Sequence, residues 1–386
     1  MFAKPTSAPY ICARCLTRQR RRPYSSQTSA PPPPPPPSGA TKLSNRCLIS
    51  LHGEEAPKFL QGLITNNVRP DSRAGFYAAF LTAPGKVLHD VFVYPTLGST
   101  WHNDVNISDE QGFLVEADAF EAQALLKHMK KHKLRSKFKL RLLEQGELDV
   151  WSAWKEDERW TAHTQGSLDD RTLGLTDCRA PGMGRRLLLP PSSQQGVSSE
   201  LEADEAPLSA YTIRRYMRGV PEGQHEIPRD DSLPMNCNID IMGGIDFKKG
   251  CYLGQELTIR THHTGVVRRR MLPVALYPQE EQPPDKLQYE PDMQLGQVES
   301  GTEIRRDDKR KRSTGKLIAS VGNIGLGMCR LEQMSDLVVS GEGSSFTPDD
   351  RFVVQGQDGQ EVGVKAFVPD WLRGRVRAPK MQKRVE

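Results

Sequence analysis

The residues best suited to chemistry lie in a glycine-rich stretch around Cys251. Positions 244–256 read GIDFKKGCYLGQE, and a helix is predicted over Gln255–Arg260, which places this thiol just before a helix N-terminus. The helix dipole there, with Lys248 and Lys249 nearby, would favour the thiolate over the thiol. A thiolate attacks disulfides and binds soft metals such as iron. Cys251 is therefore the first candidate for a reactive thiol or metal ligand, and the alternative is a buried structural cysteine.

Neighbouring residues could support this thiol. Gly250 and Gly254 would let the backbone turn tightly around the sulfur atom. Glu256 lies at the predicted helix start, where a carboxylate interacts favourably with the helix dipole. Lys249 and Arg260 could bind an anionic group of a ligand or partner, or else form structural ion pairs.

The seven cysteines of the chain indicate a reducing compartment. Cys12 and Cys15 have zinc-like spacing, but no second pair follows at a suitable distance. The remaining five are dispersed and odd in number, which argues against a secreted disulfide framework; they are Cys47, Cys178, Cys237, Cys251 and Cys329.

The N-terminus has the composition of an organelle transit peptide. Residues 1–53 contain no Asp or Glu, and five arginines lie between positions 14 and 22. Such a segment can follow a negative-inside membrane potential. The sequence around Arg22, Tyr24 and Ser25 resembles a mitochondrial processing site, and cleavage after Tyr24 would leave a nearly neutral chain. We predict a mitochondrial transit peptide over residues 1–24, and the alternative is a disordered basic tail.

Beyond this segment the sequence predicts an α+β protein. Residues 25–42 are rich in Ser and Pro and predict a disordered linker, with folded structure beginning near Leu43. Strand and helix patterns then mix without the regular alternation of a doubly wound sheet. The predicted strands are 46–50, 75–81, 87–94, 112–115, 148–155, 160–165 and 185–189. The predicted helices are 56–64, 119–132, 211–218 and 255–260.

The last third of the chain predicts a β domain interrupted by a charged segment. Residues 279–316 are rich in Pro and charged residues and predict an exposed insertion. The candidate strands around it are 317–321, 326–330, 351–354 and 361–365. No apolar run approaches the ~18 residues of a membrane-spanning helix.

Several motifs resemble one protein family. The stretch 249–256, KGCYLGQE, resembles the signature of YgfZ-type proteins, which belong to the glycine-cleavage-T-protein-like, folate-binding family. The flank 257–270, LTIRTHHTGVVRRR, is similar to the mitochondrial branch. Further matching stretches are GVPEG at 219–223, LPMNCN at 233–238, FLQGLITNNV at 59–68, PGKVLHD at 84–90 and DCRAPGMGRR at 177–186. The resemblance covers about residues 43–270 and is faint beyond.

The resemblance implies a fold and a function. It implies a pseudo-symmetric folate-binding body over 43–270 and a small C-terminal β-barrel over 271–386. It also implies late maturation of [4Fe–4S] proteins in the mitochondrial matrix, with A-type scaffold proteins as partners. The recipients would be aconitase-like enzymes and radical-SAM enzymes such as lipoyl synthase.

The resemblance also assigns roles to individual residues. Cys251 is by position the residue that could ligate an iron–sulfur cluster shared transiently with a partner. The motif residues that support it are Lys249, Gly250, Tyr252, Gly254, Gln255, Glu256 and Arg260. Tetrahydrofolate is a candidate cofactor, in a pocket around Asn66, Asp90 and Asn238.

Two departures from the family pattern weaken the expectation of folate chemistry. Family members commonly have Glu where this chain has Asn236, so an amide replaces a carboxylate that could orient a pterin amino group. The aminomethyltransferases have Asp at the positions that align with Gln123 and Cys251. We therefore expect an assembly factor that is not an enzyme.

Two other function classes remain as alternatives. One is a folate-dependent aminomethyl or one-carbon transferase, which the missing aspartates disfavour. The other is a nucleic-acid-binding protein, because Lys127–Arg141 holds eight Lys or Arg and no acidic residue, and 305–312 is similarly basic. The nearly neutral mature chain and the lack of interleaved aromatics disfavour it. We expect neither a nucleic-acid nor a membrane partner.

Overall fold

The computed structural model describes residues 31–69, 72–104, 111–156, 173–191, 203–340 and 343–376. The predicted transit peptide, 1–24, and the predicted strand at 160–165 lie outside these residues. None of the helices in the described ranges is both long and apolar enough to cross a membrane.

The body of the fold contains two antiparallel sheets. Its strands are β1 Ser38–Lys42, β2 Arg46–His52, β3 Phe76–Leu81, β4 Val87–Pro95, β5 Gly112–Asp118, β6 Lys139–Leu142, β7 Asp149–Lys155, β8 Leu173–Thr176 and β9 Arg185–Leu189. One sheet has the order β3-β4-β5-β2-β6 and the other the order β1-β7-β9-β8. The helices are α1 Ala56–Gln61, α2 Thr100–Asp104, α3 Ala122–Lys133, α4 Leu208–Arg218, α5 Gly223–Glu226 and α6 Gln255–Thr264.

Strand β4 shows how the five-stranded sheet is buried on both faces. Val91 and Val93 point into a core that is completed by α1 and α3. Phe92 and Tyr94 alternate with them and point into the opposite core, which includes Trp154 and other residues of the second sheet. Every residue of β4 is buried as a result.

The C-terminal part forms a closed six-stranded barrel in the order β10-β13-β12-β11-β14-β15. Its elements are β10 Arg269–Pro278, β11 Glu303–Arg306, β12 Ser313–Val321, β13 Ile324–Arg330, α7 Leu331–Met334, β14 Phe352–Gln355, β15 Glu361–Ala366 and α8 Asp370–Arg373. The predicted α+β class and the small C-terminal barrel are confirmed. The predicted boundary at residue 270/271 falls at the start of β10.

The disordered linker predicted over 25–42 is wrong at its C-terminal end. Ser38–Lys42 forms β1, which pairs antiparallel with β7 along its whole length. Its sequence, SGATK, has Thr41 as its single β-branched residue and no aromatic residue, so the usual sequence mark of a strand is weak. The hydrogen bonds that stabilise it come from a partner more than a hundred residues away in the chain.

The charged insertion predicted over 279–316 is also partly wrong, because β11 and the start of β12 belong to the barrel. In β11 only Ile304 is buried, while Glu303 and Arg305 face outwards. The strand is rich in charged residues because one of its faces points outwards from the barrel.

Candidate functional site

Cys251 lies on an exposed loop immediately before α6, as predicted. The helix runs to Thr264, one turn longer than predicted, and Gly254 is its N-cap with φ 81°. A Cβ on Gly250 would meet no described atom within 4 Å. The space beside the backbone of Gly250 is therefore open.

The surroundings of the other described cysteines differ from those of Cys251. Burial raises the pKa of Cys237 and of Cys329 to about 12 and that of Cys47 to about 11. Burial also raises the pKa of Cys178. Since the thiolate is the nucleophile and the metal ligand, these four thiols are poorly suited to either role. Cys251 is the exposed cysteine of the described chain.

Close backbone contacts hold the Cys251 loop in place. A Cβ on Gly254 would lie 2.1 Å from the carbonyl oxygen of Thr82, in the turn between β3 and β4. The backbone N–H of Leu253 donates to the carbonyl of Gly62 at 3.0 Å. The loop is thus fixed to the sheet and to the end of α1, so the thiol has a defined position.

The sequence left two roles open for Lys249, binding an anionic group or structural pairing, and the structure gives it a structural role. Its Nζ donates to the carbonyl oxygens of Gln61 at 2.8 Å, Ile64 at 2.7 Å and Asn66 at 2.9 Å. An ammonium group has three donors, so all of them are used. Burial lowers the pKa of Lys249 to about 8. Lys249 therefore acts as a structural clamp between two loops and is not available to bind an anionic ligand.

The remaining motif residues divide into structural and exposed ones. Tyr252 is buried, and its backbone N–H donates to Oε1 of Gln255 at 3.3 Å. Burial raises the pKa of the Tyr252 phenol to about 12. Glu256 and Arg260 are exposed on α6 and are available to a partner.

Two of the three predicted pocket residues support the backbone. Nδ2 of Asn66 donates to the carbonyls of Tyr77 at 2.8 Å and Gly243 at 2.9 Å. Nδ2 of Asn238 donates to the carbonyl of Met271 at 2.7 Å. Their side-chain donors are therefore used within the fold.

Asp90 is different, because one oxygen of its carboxylate accepts no hydrogen bond from the described residues, although Arg46 Nη1 lies 3.7 Å from it. Its Oδ1 accepts from the backbone N–H of Gly223 at 3.0 Å, but Oδ2 is buried without a hydrogen bond from any described residue. Burial raises the pKa of Asp90, an effect that Arg46 partly opposes. Asp90 is the predicted pocket residue that retains hydrogen-bonding capacity for a ligand.

Asp90 belongs to a buried group of charges that sequence reasoning missed. This central charge cluster consists of Arg46, Asp90, Glu116, Asp177, Arg179, Arg186 and Glu222. Arg186 Nη2 lies 2.7 Å from Glu116 Oε1 and 2.9 Å from Glu222 Oε2. Arg179 Nη2 lies 2.6 Å from Asp177 Oδ2. The stretches 84–90, 177–186 and 219–223 that carried the family resemblance supply five of its seven members.

The central charge cluster has hydrogen-bonding capacity left over. Burial alone would raise the pKa of Glu222, but Arg186, Arg179 and Arg46 outweigh it and hold that pKa well below its usual range. Glu222 Oε1, Arg179 Nη1 and the Tyr77 hydroxyl are buried without a hydrogen bond to a described residue, like Asp90 Oδ2. Buried polar atoms without partners are costly, so this arrangement is suited to a polar ligand or to water.

Sequence comparison places these features among known proteins. Residues 268–374 match the family described as the CAF17 C-terminal beta-barrel domain. The chain is 45% identical over 356 residues to a protein of Coccidioides immitis, covering 87% of this chain and 83% of the relative. It is 46% identical over 375 residues to one of Pyricularia oryzae, covering 94% and 92%. Both relatives are named iron-sulfur cluster assembly factor IBA57 homolog, mitochondrial.

Structural comparison confirms the expected fold. The aminomethyltransferase T of the glycine cleavage system from Bartonella henselae superimposes with a TM-score of 0.58 at 14% sequence identity, covering 88% of this chain and 87% of that structure. The T-protein-like body with a C-terminal barrel is thereby confirmed. At 45% identity over most of both chains, the protein belongs to the family of mitochondrial iron–sulfur cluster assembly factors that the IBA57 homologues represent.

Proposed function

We propose that this chain is a mitochondrial assembly factor that acts late in the maturation of [4Fe–4S] proteins. The observation that carries the proposal is Cys251, an exposed thiol on a loop that Lys249 and Gly254 fix in position. The family to which the chain belongs supports a role in iron–sulfur cluster assembly. The proposed site of action is the mitochondrial matrix.

The cluster in transit would be shared with a second protein. Iron–sulfur clusters are commonly held by four cysteine thiolates. Within the described residues, no group of three or more His, Cys, Asp or Glu side chains is arranged to hold a metal ion. Cys251 would supply one ligand, and a partner of the A-type scaffold class would supply the others. The open space beside Gly250 leaves room for this contact.

The proposed role in [4Fe–4S] maturation also implies which proteins receive the cluster. Aconitase-like enzymes and radical-SAM enzymes such as lipoyl synthase are the proposed recipient class, because they depend on [4Fe–4S] clusters. The exposed side chains of Glu256, in the first turn of α6, and of Arg260, one turn further along, offer charged contacts to the docking protein.

Anaerobic reconstitution tests the shared ligand. The full chain, an A-type scaffold, iron and sulfide are combined, and the visible absorption of the isolated complex is recorded. Cys251→Ser should lose or alter the sulfur-to-iron bands, because a hydroxyl is a poor ligand for iron. Cys178→Ser, a half-buried cysteine elsewhere, serves as the matched control. Identical spectra for wild type and Cys251→Ser would refute the ligand role.

Tetrahydrofolate is proposed as a bound cofactor of the central charge cluster. The free oxygens of Asp90 and Glu222 could accept hydrogen bonds from the amino-pyrimidine edge of the pterin, and Arg179 Nη1 could donate to its oxo group. Such a group would supply a one-carbon carrier. The missing aspartates at Gln123 and Cys251 argue against turnover in this chain.

Calorimetric titration with tetrahydrofolate tests this second proposal independently of the first. Asp90→Asn should weaken binding at least about tenfold, because one acceptor oxygen becomes a donor. Lys86→Gln is the control, since Lys86 is half-buried outside the central charge cluster and its ammonium donates to the carbonyl of Asp230. Absence of heat for wild type, or equal affinities for wild type and Asp90→Asn, would refute folate binding at this place.

A further inference from the structure

The outer side of α3 carries a row of exposed basic and apolar side chains. The inner side of this helix packs into the core through Ala122, Leu125, Leu126 and Met129. The outer side and the two flanks form what we call the basic ridge, which consists of Phe120, Lys127, Lys130, Lys131, Leu134 and Arg135. Phe120 precedes the helix and Leu134 follows it, so the two apolar side chains stand at opposite ends of a helix about 18 Å long.

The side chains of Phe120 and Leu134 both project into solvent and do not pack into the core. Phe120 is 89% exposed and Leu134 is 86% exposed, the two highest values among the large apolar side chains of the described chain. The predicted helix over 119–132 includes Phe120, and this part of the prediction is wrong, because α3 begins at Ala122. The backbone N–H of Phe120 instead donates to Oδ1 of Asp118 at 2.9 Å, in a turn that precedes α3.

The backbone of Leu134 points to a function for its side chain. Leu134 has φ 48° and ψ −117°, a conformation that suits glycine and that a branched side chain adopts only under strain. A glycine would end the helix more favourably, and an exposed leucine gains no packing energy in return. Strain that the fold does not need is typical of residues that contact a partner.

The charges between the two apolar ends have one sign. Lys127–Arg141 holds eight Lys or Arg and no acidic residue. Some of these cations have partners within the fold, since Lys133 donates to the carbonyl of Ser136 and Arg141 pairs with Glu147. The ridge lysines 127, 130 and 131 are exposed, and no ion pair joins them to a described acidic residue. The basic ridge therefore presents several solvated cations to an anionic surface.

We propose that the basic ridge docks this protein peripherally on an anionic membrane surface. Phe120 and Leu134 enter the interfacial layer of the bilayer, and the lysines between them contact the phosphate headgroups. This inference goes beyond the proposed function and departs from the expectation of no membrane partner. It requires no spanning helix.

The composition of the basic ridge favours lipid over the other anionic surfaces. Protein interfaces are depleted of lysine and contain a contiguous apolar core, whereas here two isolated apolar side chains flank a lysine row. Nucleic acid would use the lysines but would leave Leu134 without a role, because bases stack on aromatic rings. A bilayer uses both components at once.

Vesicle co-sedimentation tests the proposal. The full chain is incubated with vesicles of phosphatidylcholine alone, or of equal parts phosphatidylcholine and phosphatidylglycerol. All proteins carry Gln in place of the five N-terminal arginines, so that this segment does not dominate binding. Wild-type ridge protein should bind the anionic vesicles at least about tenfold more tightly than the neutral ones.

Two double variants separate the contribution of the lysines to vesicle binding from that of the apolar side chains. Lys127→Glu with Lys131→Glu, and Phe120→Ser with Leu134→Gly, should each weaken binding about tenfold. The charge reversal should also reduce the salt dependence of vesicle binding, because only Lys130 and Arg135 of the ridge cations remain. Lys309→Glu with Arg310→Glu makes the same change in net charge on an exposed barrel turn and should leave binding unchanged. Circular dichroism checks folding, and Leu134→Gly suits the local backbone.

Several results would overturn the proposal. These are equal binding to both vesicle types, equal losses for the ridge and barrel-turn variants, or no effect of the apolar pair. Duplex DNA binding that the lysine pair alone abolishes, without loss of vesicle binding, would assign the ridge to nucleic acid. Loss of scaffold binding with intact vesicle binding would assign it to a protein partner.

Discussion

At the scale of single residues, the same chemical group has different properties at different places in this fold. Cys251 and Cys237 are both thiols of the family-like segments, but Cys237 is fully buried in the core between the sheets and Cys251 is exposed. Lys249 looked from sequence like a cation beside the thiol. Its ammonium instead binds three carbonyls from residues 61–66, about 185 positions earlier in the chain.

The contrast between these two cysteines predicts opposite effects of serine. Cys237→Ser should lower the free energy of unfolding by ~1–3 kcal/mol, because a hydroxyl replaces a thiol in an apolar core. Cys251→Ser should change it by less than ~0.5 kcal/mol, because the side chain is exposed. Urea denaturation measures both, and aconitase activity in cells that express each variant reports cluster delivery. Loss of activity is expected for Cys251→Ser at normal protein abundance; reduced abundance with normal activity per molecule would contradict the ligand role.

His89 predicts how stability depends on pH. It is fully buried in β4, and burial lowers its pKa to about 3. An unfolded histidine titrates near pH ~6.5, so between these values the unfolded state binds more protons, and the free energy of unfolding falls as the pH drops. His89→Leu should reduce this slope by up to about 1.4 kcal/mol per pH unit. Urea denaturation across this range measures it, and parallel curves for the two proteins would contradict the assignment.

At the scale of elements, the sequence predicted a helix or strand boundary correctly where neighbouring residues in the chain specify that boundary. The start of α6 at Gln255 was predicted correctly, because Gly254 precedes three good helix formers, Gln255, Glu256 and Leu257. Strands β1 and β11 were missed, because their residues become strands through pairing with distant partners. The ends of α3 were placed differently, since Phe120 lies outside the helix.

The start of α6 gives a test at this scale. Gly254→Ala should lower the free energy of unfolding by at least ~1 kcal/mol, because the residue has a positive φ and its Cβ would collide with the carbonyl of Thr82. Gly250→Ala is the matched control and should change it by less than ~0.5 kcal/mol, since the space there is open. Thermal or urea unfolding compares them, and equal effects would show that Gly254 does not anchor the loop.

At the scale of the whole molecule, the central charge cluster joins the two sheets of the body. Arg46, Glu116 and Asp90 come from the five-stranded sheet, and Arg186 comes from β9 of the other. Removing water from these charges is costly, and the cluster is tolerated because each arginine meets more than one carboxylate. Its integrity depends on correct packing of both sheets.

Removing one arginine should therefore affect the whole body. Arg186→Met should lower the free energy of unfolding by ~3–5 kcal/mol, because Glu116 and Glu222 remain buried with their main cation gone. Arg141→Met breaks the exposed pair with Glu147 and should cost at most ~1 kcal/mol. Urea denaturation of both variants tests this, and similar costs would mean that the cluster does not stabilise the packing of the sheets.

The sequence by itself determined what is local: the motif around Cys251, the start of α6, the α+β class and, through the family resemblance, the T-protein-like body with its barrel. Only the tertiary structure decided where long side chains find their partners. Lys249 became a clamp, Arg179 and Arg186 became part of the central charge cluster, and Phe120 became exposed. The physical reason is that hydrogen bonds and ion pairs of buried polar groups depend on residues far apart in the chain, and no local pattern specifies them.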